Sequence, residues 1–372
     1  MKTFFYSTLF FMLSFSCSSS SQEKPRETAN NDSIAPQTIT LLFAGDLMQH
    51  QTQINAARTS SGYDYSDCFK FVKEEISKAD IAIGNLEVTL GGKPYRGYPQ
   101  FSAPDEYLFA IKDAGFDVLL TANNHCLDRR QKGLERTLLM LDSLQMQHLG
   151  TYRDSVSRKQ QTPLIIEAKG IRIALLNYTY GTNGIAVTQP NVVNYIDKES
   201  MSSDIKAAQT VHPDVIIACM HWGIEYKQHP SNAQKELAEW LLAQGVTHVI
   251  GSHPHVVQPM ELRTDSLNGS KHAVVYSLGN FLSNMSAVNT DGGLLFKLEL
   301  TKDSTTYVSN CSYSMVWVGR PLLTGKKNHI LYPVNIPNDS LPYSARNRLK
   351  IFTKQSRALF KKYNFGINEA FF

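Results

Sequence analysis

Short apolar runs recur along this chain, and most of them end on a cluster of ionisable or amide side chains. Thr38–Ala44, Ile81–Gly84, Phe116–Thr121, Ile171–Tyr178, Asp214–Met220, Val246–Ile250 and Ala273–Leu278 read as buried strands. Between them lie helical patterns at Cys68–Lys78, Asp105–Ala114, Gly133–Gln147 and Asn232–Gln244. The third is the clearest, because Leu134, Leu138, Leu141 and Leu144 recur at helical spacing. Strands alternating with helices predict right-handed crossovers and an α/β fold with a sandwiched sheet. The principal domain is expected over residues 38–300. Gly292–Leu300 opens a β-rich extension over 301–372, with a terminal helix expected at Ser344–Lys362.

The polar residues follow the strands in order. Asp46 follows the first, and Asn85 and Glu87 follow the second. Asn123, Asn124, His125 and Asp128 follow the third. His221 and Glu225, then His253 and His255, and finally Asn280 close later ones. In an α/β sheet the ligand crevice forms in the loops after the carboxyl ends of parallel strands. Imidazole suits zinc, iron, manganese or nickel, and carboxylate and amide oxygens suit harder ions. A mixed His/Asp/Asn set fits a hydrolytic dinuclear centre, with Asp46 or Glu87 placed to bridge and His125 placed to protonate a leaving group.

Each motif also has an ordinary explanation. Gly-Asp after a strand is commonly a turn. Asn123 or Asn124 suits a helix cap. His221-Trp222-Gly223 suits core packing at a tight turn. His253-Pro254-His255 is hardest to explain this way, because two histidines around a proline at a strand end have little packing logic. Taken together the groups resist a structural explanation, since buried polar side chains cost stability unless paired or ligating.

The N-terminus carries its own signal. Met1-Lys2 precedes an apolar run from Phe4 to Phe15, which predicts an export signal over residues 1–16. Cys17 follows small residues as in a bacterial lipoprotein processing site, although Leu13 stands one place further from it than usual. Lipidation at Cys17 predicts a membrane-attached envelope protein, periplasmic or at the cell surface. Residues 17–37 then form a Ser-, Asn-, Glu- and Pro-rich tether. Net charge is +4, too small to argue for a nucleic-acid partner. Cys68, Cys126, Cys219 and Cys311 form no CxxC pair and read as small buried hydrophobes, with a catalytic Cys126 as the alternative. An envelope location would permit disulfides.

The ordered set Phe43-Ala44-Gly45-Asp46, GNLE at 84–87, TANNHCLD at 121–128, HWGIEY at 221–226, GSHPHVVQP at 251–259 and YSLGNF at 276–281 closely resembles the CapA-type capsule synthesis family. The resemblance spans residues 38–300. It implies kinship with calcineurin-like metallophosphoesterases, hence a four-layer αββα sandwich. It further implies that Asp46, Asn85, Glu87, Asn124, His221, His253 and His255 hold divalent metal (Mn, Zn, Fe or Mg), mononuclear or dinuclear. His125 then matches the general acid, with Asp128 and Glu225 as further catalytic candidates. Arg96, beside Lys93 and Tyr95, and Asn280 are candidates to bind glutamyl carboxylates. The sequence departs from the phosphoesterase pattern at Met48, where a histidine is usual. That metal site is therefore lost, weak, or rebuilt through Glu87 or His50. Three readings follow. The first is a metal-dependent hydrolase acting on an envelope polymer such as poly-γ-glutamate. The second is a non-catalytic polymer-binding part of a synthesis or export assembly. The third is a phosphodiesterase.

Overall fold

The side-chain alternation of the strands decides the architecture. In the strand Gln37–Leu47 of this computed structural model, Ile39, Leu41 and Phe43 enter one apolar core, while Leu42 and Ala44 enter another. The strand Ile171–Thr179 repeats the pattern. Ile173 and Leu175 share the first core, and Ala174 and Leu176 enter a third. Strands buried on both faces read as near-continuous apolar runs, as these do. The shared core therefore lies between two sheets. Ile76, Leu108, Ile111 and Leu141 cover the outer face of the first sheet from its helices. Met201, Ile205, Ala238 and Leu241 cover the second. The result is a four-layer αββα sandwich.

The structure describes residues 35–372, so the expected leader, Cys17 and the tether up to residue 34 lie outside the described residues. No helix among the described residues is long and apolar enough to cross a membrane. The first sheet runs in the order Ile330–Pro333, Thr306–Gly319, Gly292–Lys302, Gln37–Leu47, Ile81–Leu86, Val118–Leu120, Gln147–Leu149. The second runs Met260–Thr264, Lys271–Val275, His248–Ser252, Val215–His221, Ile171–Thr179, Leu164–Ala168. The pairs from Gln37–Leu47 through Ile81–Leu86 to Val118–Leu120 are parallel, as are those from Ile171–Thr179 through Val215–His221 to His248–Ser252. Their carboxyl ends carry the polar clusters. Residues 36–372 form one compact unit, in which Thr306–Gly319 and Ile330–Pro333 extend the first sheet and the helix Tyr343–Tyr363 packs on the shared core.

Several expected boundaries shift. The helix expected at Cys68–Lys78 is regular only over Lys73–Lys78, because Cys68 and Phe69 belong to tight turns. The strand Ile81–Leu86 runs past Gly84, so Asn85 lies inside it, paired with Asp46. One close approach makes this end of the sheet. A Cβ on Gly45 would sit 1.9 Å from the Gly279 carbonyl oxygen, so only glycine fits there. That approach lets the Asp46 amide donate to Gly279 O at 3.0 Å and sets Asn280 beside Asp46 in register.

Candidate metal centre

Glu87 stands at the middle of the strand-end cluster. It is fully buried, and neither carboxylate oxygen has a hydrogen-bond partner among the described residues. Its Oε1 lies 3.6 Å from His221 Nε2 and 3.9 Å from His255 Nε2. Burial, and next the Asp46 carboxylate beside it, push the Glu87 pKa well above the usual carboxylate range. An isolated buried carboxylate is costly unless a cation faces it.

The neighbours are held by a continuous set of hydrogen bonds. Asn85 Nδ2 donates to Asp46 Oδ1 at 2.8 Å and approaches His221 Nδ1 at 3.2 Å. His221 Nε2 then lies 2.9 Å from Asn124 Oδ1, and Asn124 Nδ2 donates to Asn183 Oδ1 at 3.3 Å. The Asn85 amide at one nitrogen and the Asn124 carbonyl at the other hold the ring in place. Burial, and then His253 nearby, hold the His221 pKa well below its ordinary value. His255 Nδ1 lies between Asp46 Oδ2 at 3.2 Å and Asn280 Oδ1 at 3.1 Å. That fixes the tautomer whose Nε2 faces Glu87. Burial, then the adjacent His255, bring His253 down to about 3, and its Nδ1 has no partner among the described residues. Neutral imidazoles are the form that ligates metal.

His253 and His255 both take left-handed backbone, with φ of 100° and 59°. Strain of about 1–3 kcal/mol at each such residue is characteristic of functional sites. The proline between them helps to explain the motif, because it rigidifies a turn that aims both rings at one point. Three sets of donors lie within 4.8 Å of one another: Glu87/His221/His253, Asp46/Glu87/His255 and Glu225/His253/His255. The unpartnered Glu87 oxygens and His253 nitrogen inside this mixed carboxylate–imidazole set fit a divalent cation. Met48 occupies the core instead of the centre, and His50 belongs to none of these sets among the described residues. Glu87 shares two of them.

His125 and Asp128 form a second unit beside the first. His125 Nδ1 donates to Asp128 Oδ2 at 2.7 Å, and the Phe101 amide donates to the same oxygen at 2.7 Å. The His125 amide is in turn anchored on Asn123 Oδ1 at 3.1 Å. Burial raises the Asp128 pKa, while its bonds to His125 and to the Phe101 amide act in the opposite direction. His125, Asp128, Asn124 and Glu225 line one cavity of about 580 Å³.

The structure gathers Asp46, Asn85, Glu87, Asn124, His221, His253 and His255 into one cluster, with His125, Asp128 and Glu225 at its open side. Two expected carboxylate-binding residues are placed otherwise. Asn280 is fully buried, and its amide is spent on His255 and on the Thr290 carbonyl at 2.8 Å. It orients a ring and has no surface to offer a substrate. Arg96 is exposed in the Gly91–Gln100 loop, where its backbone pairs with Ser102, and it is absent from the cavity wall. Arg130 lines that wall instead, with φ of 56°. Tyr180 was also missed, although it follows directly on the strand Ile171–Thr179. Its ring lies 4.5 Å from that of His253 and stacks at 6.3 Å on His221. The strand-end rule would have found it. Nothing in the sequence marks Arg130. The alternative of a catalytic Cys126 fails on burial, which pushes its thiol up to about 12. All four described cysteines are free and buried.

Residues 40–285 match the family described as bacterial capsule synthesis protein PGA_cap. The capsule biosynthesis protein CapA of Bacillus anthracis is 26% identical over 281 residues, covering 72% of this chain and 65% of that protein. The PGA biosynthesis protein CapA of Bacillus subtilis is 26% identical over 344 residues, covering 90% of this chain and 83% of that one. This chain thus spans just under two thirds of the first relative and more of the second. Among solved structures, the NAD nucleotidase of Haemophilus influenzae overlaps 89% of this chain and 57% of its own, with 11% identity and a TM-score of 0.48. The calcineurin-like phosphoesterase YfkN from Bacillus subtilis overlaps 86% of this chain and 98% of its own, with 12% identity and a TM-score of 0.41. The four-layer order described above stands on this chain's own strand pairing.

Proposed function

This chain belongs to the bacterial capsule synthesis protein family, and from that premise we propose that it is a divalent-metal-dependent hydrolase that processes a poly-γ-glutamate-type polymer at the cell envelope. The observation that carries the proposal is Glu87, a fully buried carboxylate without a hydrogen-bond partner among the described residues, set among Asp46, His221, His253 and His255. Asp46, Glu87, His221, His253 and His255 would hold the metal, with Glu225 reaching it from the cavity side. A divalent cation there supplies a lowered pKa for bound water and polarises a carbonyl or phosphoryl oxygen.

The remaining work falls to this chain's own residues. In hydrolysis of a γ-amide, water oxygen bonds to the carbonyl carbon, the carbon–nitrogen bond breaks, and the departing amine needs a proton. His125 is placed to give it, because it lines the cavity and its Nδ1 is committed to Asp128. Asp128 acts through that ring and is a positioning residue. Asn280 holds His255 in the tautomer described above, and Asn85 and Asn124 fix the position of the His221 ring. Tyr180 and Tyr226 flank the imidazoles of His253 and His255.

The test is incubation of the purified full chain with poly-γ-glutamate and Mn²⁺ or Zn²⁺, scoring newly released amino groups. The proposal expects metal-dependent release, and a loss of about 10²–10⁴ in kcat for His125→Ala with metal content retained. No release with any of the metals, in protein shown to bind them, would favour a non-catalytic polymer-binding role. The buried Met48, which leaves the first strand without its usual histidine, is the observation on that side. Turnover of an aryl phosphodiester without polymer cleavage would identify a phosphodiesterase instead. The expected lipid anchor at Cys17 belongs to the same proposal, and mass spectrometry of the mature N-terminus would test it.

A further inference from the structure

We infer that the outward face of the helix Tyr343–Tyr363 is a docking ridge for an extended polycarboxylate chain. This helix carries seven Lys and Arg residues and no Asp or Glu. The whole chain has a net charge of only +4, so positive charge is concentrated here. At 100° per residue, Lys350, Lys354, Arg357 and Lys361 fall on one line, turned away from the buried Leu349, Phe352, Ser356 and Phe360. The line spans about 16 Å along the axis. Arg357 is paired with Glu369 at 2.7 Å. Lys350, Lys354 and Lys361 are exposed and form no ion pair among the described residues.

Like charges at i,i+4 spacing weaken a helix by about 0.2–0.5 kcal/mol per pair. Lys350 with Lys354 is such a pair, whereas Glu369 already faces Arg357. A linear polyanion relieves that repulsion along its whole length. A lipid surface fits less well, because the apolar stripe of the helix is already spent on the core. The other face of the same helix touches the metal centre's loops. Tyr363 packs edge-on against His229 at 4.7 Å, in the loop that follows His221. Arg348 Nη2 donates to the carbonyls of Ser286 and Ala287 at 2.7 and 2.8 Å, in the loop after Asn280–Leu282. The identity of the polyanion rests on the proposed function; the ridge rests on its own charges.

The test is fluorescence anisotropy of a fluorescein-labelled γ-linked decaglutamate with the full chain in EDTA, where binding is read without turnover. Binding is expected to weaken as salt rises. The variant Lys350→Gln/Lys354→Gln/Lys361→Gln is expected to bind at least about tenfold more weakly, with unchanged circular dichroism and unchanged metal content. His253→Ala is expected to bind like the wild type. Equal binding by the triple variant, or equal binding of a γ-linked peptide with its free carboxyls amidated, overturns the inference. So does ridge-dependent capture by phosphatidylglycerol-containing vesicles, relative to pure phosphatidylcholine, without peptide binding. Ridge-dependent binding with no cleavage in metal supports the ridge and counts against the hydrolase alone.

Discussion

Two buried ionisable groups show how single residues carry this fold's chemistry. Glu87 is placed where its charge costs most and is rewarded only by a cation. Glu87→Gln should abolish metal uptake by elemental analysis, yet raise the stability of metal-free protein by about 1–3 kcal/mol in urea denaturation. Unchanged metal content would remove Glu87 from the centre. His248 is a structural counterpart at the other end of its strand. Its Nδ1 accepts the Ala273 amide proton at 3.0 Å, and burial, then nearby His272, bring its pKa down to about 3. The folded state therefore holds it neutral, while the unfolded chain protonates it near pH 6.5. Stability from this group is fully present above pH 6.5 and falls by about 1.4 kcal/mol per pH unit as pH drops toward 3. Between pH 7 and pH 5 that amounts to about 2 kcal/mol. His248→Asn keeps an acceptor near the Nδ1 position and should lose that share of the acid sensitivity. The same slope in both proteins would contradict this.

At the scale of elements, the site depends on how closely strand ends approach one another. The carbonyl of Gly279 leaves no room for a side chain at residue 45, and the approach sets Asp46 beside Asn280. Gly45→Ala should cost about 3 kcal/mol or more, or prevent folding, because the crowding atom is backbone and cannot swing aside. Wild-type stability and metal content in that variant would show that the strands can part there. The strands themselves were readable from sequence, since apolar runs buried on both faces leave an unambiguous pattern. The strand-end polar residues were readable for the same reason, because each follows such a run. Two things were not. The helix at Lys73–Lys78 was overextended, since Phe69 and Val72 are buried in turns as fully as in a helix. The roles of Asn280 and Arg96 were misread because sequence order cannot say which amide faces a ring and which guanidinium faces a cavity. Arg130 reaches the cavity only through the third dimension.

At the scale of the whole molecule, two sheets face each other across one core, and each sends the carboxyl ends of its parallel strands to the same edge. Asp46, Glu87 and Asn124 come from the first sheet's side, and His221, His253 and His255 from the second. Two of the three donor sets, Glu87/His221/His253 and Asp46/Glu87/His255, draw on both halves, so metal binding there and the packing of the two sheets are linked. A cation that binds only the folded chain stabilises it by mass action. The thermal midpoint should therefore rise with added Mn²⁺ or Zn²⁺, and His221→Ala should flatten that rise. The most direct measurement is the metal content of the purified full chain, together with the same measurement on His253→Ala. At least one tightly held divalent ion per chain is expected in the wild type, and its loss in the variant. A metal-free wild type that takes up none on titration would contradict it.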